Sequence, residues 1–154
     1  MIETGKKLPD FELLDDAGNT VTSEDLRGHK SILYFYPKDN TPGCTNEAVS
    51  FENAREELEK EGYQIIGVSK DSVDSHKRFK EKYLLNFTLL SDPELQLIKA
   101  MGVWVEKKMF GKKYFGVART TFLIDENLKI DKVYPNVKPA GHGEEILKGI
   151  RSQQ

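Results

Sequence analysis

Only one cysteine, Cys44, stands in 154 residues, and the chain has no long apolar run, no internal repeat and no low-complexity linker. A single thiol cannot close an internal disulfide framework, nor can it build a thiolate metal site by itself. The three histidines, His29, His76 and His142, lie far apart in sequence, so no short metal-ligating spacing exists and neither a metal nor an organic cofactor is expected. No segment is apolar over the ~20 residues that a bilayer crossing takes. The start, MIETGKKLPDFELLDD, carries charges with no apolar stretch behind them. A soluble, cytoplasmic protein is expected. Neither sign of charge dominates: 23 Lys and Arg against 25 Asp and Glu leave a net charge of -2, which offers no broad basic face for nucleic acid and no polybasic membrane anchor. The expected partner is small or neutral, and one domain over residues 1–154 is expected at this length.

What the chain does contain is alternation. SILYFY (31–36), closed by Pro37, reads as a central strand covered on both faces. YQIIGVS (63–69), NFTLLSD (86–92), TTFLID (120–125) and KIDKVYP (129–135) have the same β-rich character, with ENLK as a hairpin turn between the last two. Between them the apolar spacing of Ala48, Phe51, Ala54 and Leu58 predicts a helix from Cys44 to just before Gly62. A second helix over 72–84, opened by Asp71 or Ser72, buries Val73, Phe79 and Tyr83. A short one over 94–101 starts behind Pro93, and a last one over 141–151 carries Ile146, Leu147 and Ile150. This order predicts a layered α/β domain with helices on both sheet faces. FELLDDAGNTVTSEDLRG at the start reads as a hairpin with a short helical turn appended to the sheet.

The stretch FYPKDNTPGCTNEAVSF holds the thiol. Pro37 ends the strand, Thr41 is a permitted N-cap and Pro42 a favoured first helical residue, so Gly43 and Cys44 fall in the first turn, where backbone N–H groups lack intrahelical acceptors. A thiolate there accepts those N–H groups, and Gly43, lacking Cβ, lets a ligand come close to the backbone. Ionising an ordinary thiol near neutrality takes roughly 3 kcal/mol. A helix terminus typically gives about 0.3–1 kcal/mol and at best ~2. A cation is therefore needed. Lys38 is offset by Asp39 beside it; Arg119, directly before the apolar strand TTFLID, is the better choice because a guanidinium is always charged and directional.

Pro37, Thr41 and Cys44 spell Pro-x-x-x-Thr-x-x-Cys, and the chain thereby resembles the peroxiredoxins, thiol peroxidases with a thioredoxin-like fold. GVSKDSVDSHKRFKEKYLLNFTLLSD and GVWVEKKMFGKKYFGVARTTFLID are similar to the bacterioferritin comigratory protein or peroxiredoxin Q subfamily. The resemblance implies a central mixed β-sheet flanked by helices, with an N-terminal β-hairpin extension. It also implies that Cys44 is the peroxidatic cysteine, oxidised to a sulfenic acid by hydrogen peroxide or organic hydroperoxides. Thr41 would bond the thiolate and peroxide, Pro37 would shield the sulfur, Arg119 would hold the peroxide, and Glu47 would orient the arginine. Many relatives carry a resolving cysteine five residues after the first; Val49 stands there. The implied mechanism is therefore of one-cysteine type, with reduction by an external thiol: thioredoxin, glutaredoxin or a small thiol. A monomer or weak homodimer is implied. The alternative is a thioredoxin-like sensor or binding protein that signals through oxidised Cys44 without sustained turnover. A Cys-x-x-Cys reductase is disfavoured by Thr41-Pro42-Gly43-Cys44.

Two further features complete the reading. Trp104 and EKKMFGKKYFG form a basic-aromatic loop, either bordering the active site or a docking surface, or simply a solvated hairpin with buried aromatic anchors. His76 is expected to be partly buried and structural, and His142 to sit at the last helix start, with no catalytic role for either.

Overall fold

The computed structural model describes residues 1–153. In chain order the elements are β1 (Glu12–Asp15), β2 (Thr20–Thr22), a short 3-10 turn (Ser23–Leu26), β3 (Lys30–Phe35), α1 (Pro42–Lys60), β4 (Tyr63–Ser69), α2 (Val73–Tyr83), β5 (Thr88–Ser91), α3 (Gln96–Ala100), β6 (Trp104–Met109), β7 (Lys112–Val117), β8 (Thr120–Ile124), β9 (Ile130–Tyr134) and α4 (His142–Arg151). Among the described residues seven strands form one mixed sheet in the order β2-β1-β5-β4-β3-β8-β9, while β6 and β7 pair only with each other. The protein therefore has the mixed α/β, thioredoxin-like architecture. Among the described residues no helix is long and apolar enough to cross a membrane.

β3 is central: it runs parallel to β4 and antiparallel to β8. Its side chains alternate between two cores. Leu33 and Phe35 join Val68, Phe122, Leu97 and Ile98 on one face. Ile32 and Tyr34 join Ala48, Phe51, Leu58, Phe79, Ile146 and Ile150 on the other. Burial on both faces explains why the segment reads as an unbroken apolar run. Helices cover both faces unequally: α1, α2 and α4 contribute to the second core, and α3 to the first. Phe51, stacked on Tyr34 with ring centroids 4.4 Å apart, is fully buried; burying such a side chain stabilises the fold by about 1.5–3 kcal/mol. α1 and α4 meet at backbone distance, for a Cβ on Gly143 would lie 2.4 Å from the Ser50 carbonyl oxygen.

The N-terminal hairpin is appended to the sheet as expected, since β1 pairs antiparallel with β5. Other local expectations are corrected. α3 starts at Gln96 rather than behind Pro93, because the Asp92 carboxylate accepts the Gln96 and Ile98 N–H groups at 2.7 and 2.8 Å and leaves Pro93 in the preceding turn. In α2, Val73 and Tyr83 are only half-buried, and the buried residues are His76 and Phe79. The basic-aromatic segment is indeed a hairpin, but only its base is anchored: Trp104 is half-buried against the first core, whereas Phe110 at the tip is 97% exposed and Phe115 59%.

Register decides where the functional groups meet. Phe35, the last residue of β3, pairs with Thr120, the first of β8. Arg119 therefore emerges beside the end of β3, where the chain turns through residues 36–41 into α1.

Candidate active site

α1 begins as the turn chemistry requires, with Thr41 in extended backbone at the N-cap and Pro42 behind it. The Thr41 side chain does not cap the helix. Its hydroxyl instead donates to the Lys38 carbonyl at 2.9 Å, which closes the turn on itself, and the first helical bond is Thr45 N–H to Thr41 C=O at 2.8 Å. Pro37 is half-buried between Tyr36 and that turn.

Cys44 lies in the first turn of the helix and is 1% exposed. Arg119 Nη2 donates to its Sγ at 3.1 Å, and Nη1 donates to Glu47 Oε1 at 3.0 Å. Arg119 thus joins the thiol to a carboxylate one turn further along α1. A Cβ on Gly43 would stand 2.8 Å from Nη2 and 3.5 Å from Pro139 Cγ. The space that this glycine leaves open is thus filled by the protein's own guanidinium, a correction to the expectation that a ligand uses it.

Glu47 is completely buried, and burial pushes its carboxyl up to about 7, a rise that the charge and hydrogen bond of Arg119 only partly oppose. Its Oε2 and the nearby Tyr34 hydroxyl are buried without hydrogen-bond partners among the described residues. Burial also holds the Tyr34 phenol well above its ordinary range, and the charges of Glu47 and Cys44 add to that. Tyr34 is therefore a neutral wall of the site.

Two contributors escaped the sequence reading. Lys107 of β6 donates to the Val117 carbonyl at 2.6 Å, two residues before Arg119. Burial and the charge of Arg119 lower its pKa while Cys44 opposes the change. The only sequence signal was its place in a lysine-rich run; strand alternation in the hairpin, which sets it against Gly116, was needed to single it out. The loop after β9 also closes on the site, with Val137 N–H bonded to the Arg119 carbonyl at 3.0 Å and Pro139 beside Gly43. His76 is completely buried rather than partly so. His142, at the α4 start, bonds Thr121 and Glu145 at 2.8 and 2.7 Å, and its burial lowers its pKa. Neither ring bonds to the sulfur.

Chemically, the arrangement sets a nucleophile on the N-terminal turn of a helix, with a guanidinium able to stabilise charge on the sulfur or on an atom that the sulfur attacks.

Residues 4–133 match the model of the AhpC/TSA family. Peroxiredoxin Bcp of Bacillus subtilis (strain 168) is 47% identical over 150 residues, covering 97% of this chain and 96% of the relative. A mutant of PrxQ from Xylella fastidiosa superposes with a TM-score of 0.93 at 34% identity, over 99% of this chain and 98% of that one. The bacterioferritin comigratory protein of Xanthomonas campestris, whose structures address its alkyl peroxide reduction activity, superposes with a TM-score of 0.90 at 37% identity, over 98% of this chain and 99% of that one.

Proposed function

The chain belongs to the AhpC/TSA family, and from that premise we propose that it is a one-cysteine peroxiredoxin of the bacterioferritin comigratory protein type, its residues 1–154 forming one domain. The observation that carries this is the 3.1 Å bond from Arg119 Nη2 to Cys44 Sγ at the start of α1. The thiolate of Cys44 attacks one oxygen of a hydroperoxide. An S–O bond forms, the O–O bond breaks, and the departing oxygen takes a proton and leaves as water or an alcohol. Arg119 stabilises the charge as it moves from sulfur to the leaving oxygen. Glu47 fixes the guanidinium, Thr41 offers its hydroxyl to the peroxide after leaving the Lys38 carbonyl, and Pro37 screens the sulfur from water.

Hydrogen peroxide and organic hydroperoxides are the substrates. Because the sequence holds no second cysteine, the sulfenic acid is reduced from outside, by thioredoxin, glutaredoxin or a small thiol. The reductant's thiolate displaces hydroxide to form a mixed disulfide, and a second thiol then releases Cys44. Every side chain named comes from one chain, so a monomer or weak homodimer suffices. A free working thiol fits the reducing cytoplasm. The sensor reading has no observation in its favour, and the named relatives support turnover.

Stopped-flow mixing of the reduced protein with peroxide tests the reading. One equivalent is consumed rapidly and Cys44→Ser abolishes it; a rate no faster than that of free cysteine refutes it.

A further inference from the structure

The turn that feeds α1 is held by a buried polar cluster that the chemistry above does not use. Asp39 lies in this turn, between Pro37 and Thr41, and is 6% exposed; His76, on α2, is fully buried. His76 Nδ1 is 2.7 Å from Asp39 Oδ2, and Nε2 is 2.9 Å from the Leu90 carbonyl oxygen. The Tyr36 hydroxyl donates to Asp39 Oδ1 at 2.6 Å, and Ser75 Oγ donates to Oδ2 at 2.8 Å. Asp39 N–H in turn donates to Asp71 Oδ2 at 2.9 Å.

A carbonyl oxygen only accepts, so Nε2 carries the hydrogen toward Leu90, and burial keeps the Tyr36 phenol protonated. The Tyr36 hydroxyl also stands 3.5 Å from His76 Nδ1, so Asp39, His76, Tyr36 and Ser75 form one buried hydrogen-bonded cluster. Next to it, Asn40, held at a left-handed φ of 60°, accepts from Tyr83 Oη at 2.9 Å and Lys82 Nζ at 3.3 Å. α2 therefore grips both Asp39 and Asn40. Arg78 and Lys82 line the small cavity of about 280 Å³ between the turn and α2.

We propose that the Asp39–His76 contact is a positioning device for the reactive thiol: it clamps the 37–41 turn to α2 and so sets the start of α1 where Cys44 meets Arg119. This rests on the peroxidase reading of Cys44. Without the clamp the turn is freed, and a small displacement of the sulfur costs up to about 100-fold in reactivity.

The test has two arms. Hydrogen exchange at the Thr45 amide, the first bonded amide of α1, is expected to accelerate at least about tenfold in His76→Phe, whatever the peroxide rate; unchanged protection overturns the proposal. Single-turnover oxidation of Cys44 is expected to slow at least about tenfold in His76→Phe and to stay within about threefold of the wild type in His76→Asn, which keeps an N–H toward Asp39; equal rates in the two variants overturn it. Asp39→Ala removes the clamp from the other side and is expected to give both His76→Phe results, so the proposal stays testable if His76→Phe does not fold. A wild-type Cys44 no faster than free cysteine overturns the peroxidase reading instead, while the exchange arm still judges the clamp.

Discussion

Gly43 and Arg119 share one space: a Cβ on the glycine would stand 2.8 Å from Nη2, the same nitrogen that bonds the Cys44 sulfur. The atom in the way is the far end of a flexible side chain, so Gly43→Ala moves the guanidinium rather than the backbone. Alanine is also the better helix former by about 1 kcal/mol. The expected result is a thermal midpoint equal to or above that of the wild type, with peroxide oxidation of Cys44 slower by about tenfold. Stopped-flow fluorescence and a melting curve on the same sample check both halves.

Arg119 spans two partners with two nitrogens, 3.1 Å to sulfur and 3.0 Å to Glu47. A lysine supplies the charge but only one nitrogen, without the planar fork. Arg119→Lys is expected to recover only part of the roughly 100-fold loss expected for Arg119→Ala. Second-order rate constants with hydrogen peroxide, measured side by side, settle the ordering; equal rates in both variants refute the bridging role.

Glu47 imposes a pH dependence with a definite sign. Its folded-state value is raised from 4.5 to about 7 by burial, so the native state holds this proton more tightly than the unfolded chain does. The resulting stability is fully present below 4.5 and is lost as pH rises through about 7. The loss amounts to about 3 kcal/mol at 1.36 kcal/mol per unit. Glu47→Gln cannot titrate, and urea denaturation at pH 5 and pH 8 is expected to show a smaller difference between the two pH values than in the wild type. A difference as large as the wild type's shows that another group is responsible.

At the α1–α4 contact the obstruction is backbone. A Cβ at position 143 meets the Ser50 carbonyl oxygen at 2.4 Å and Phe51 Cα at 2.9 Å, and the Gly143 N–H donates to Ser50 Oγ at 2.7 Å. Neither helix yields without disturbing the packing of Phe51. Gly143→Ala is expected to destabilise by about 2–4 kcal/mol, read as a lowered midpoint in urea, unlike the same substitution at Gly43.

Val49 sits on the same continuous helix as Cys44. Five residues at 1.5 Å rise put the two positions about 7.5 Å apart along the axis, beyond comfortable disulfide reach. In Val49→Cys, peroxide is expected to form an internal disulfide only with unwinding of the α1 start. A mass loss of about 2 Da accompanied by reduced far-UV helical signal supports this; a disulfide with full helicity contradicts it.

Legibility in the sequence followed the range of the forces involved. The strand at 63–69 and the α1 stripe were readable because burial imposes its period on neighbouring residues. The α3 start was misread because a carboxylate outside the helix, Asp92, overrides the local preference of Pro93. Arg119 could be nominated from a charge argument, since an ionised thiol needs a cation. Lys107 and Pro139 could not, because their approach to the site depends on strand pairing and loop closure between distant segments. His76 was underrated because its partner Asp39 lies 37 residues away, and no local pattern marks two such residues as neighbours.

The thiol and its guanidinium are separated by 75 positions in the chain. During synthesis, residue 44 leaves the ribosome long before residue 119 has been polymerised, and β8 must then pair with β3 before the two can touch. Until that moment the nascent polypeptide carries the thiol without the guanidinium that bonds it in the folded protein. The pairing of β8 with β3 is thus the step that assembles the two groups, and the site belongs to the sheet's register rather than to α1 alone.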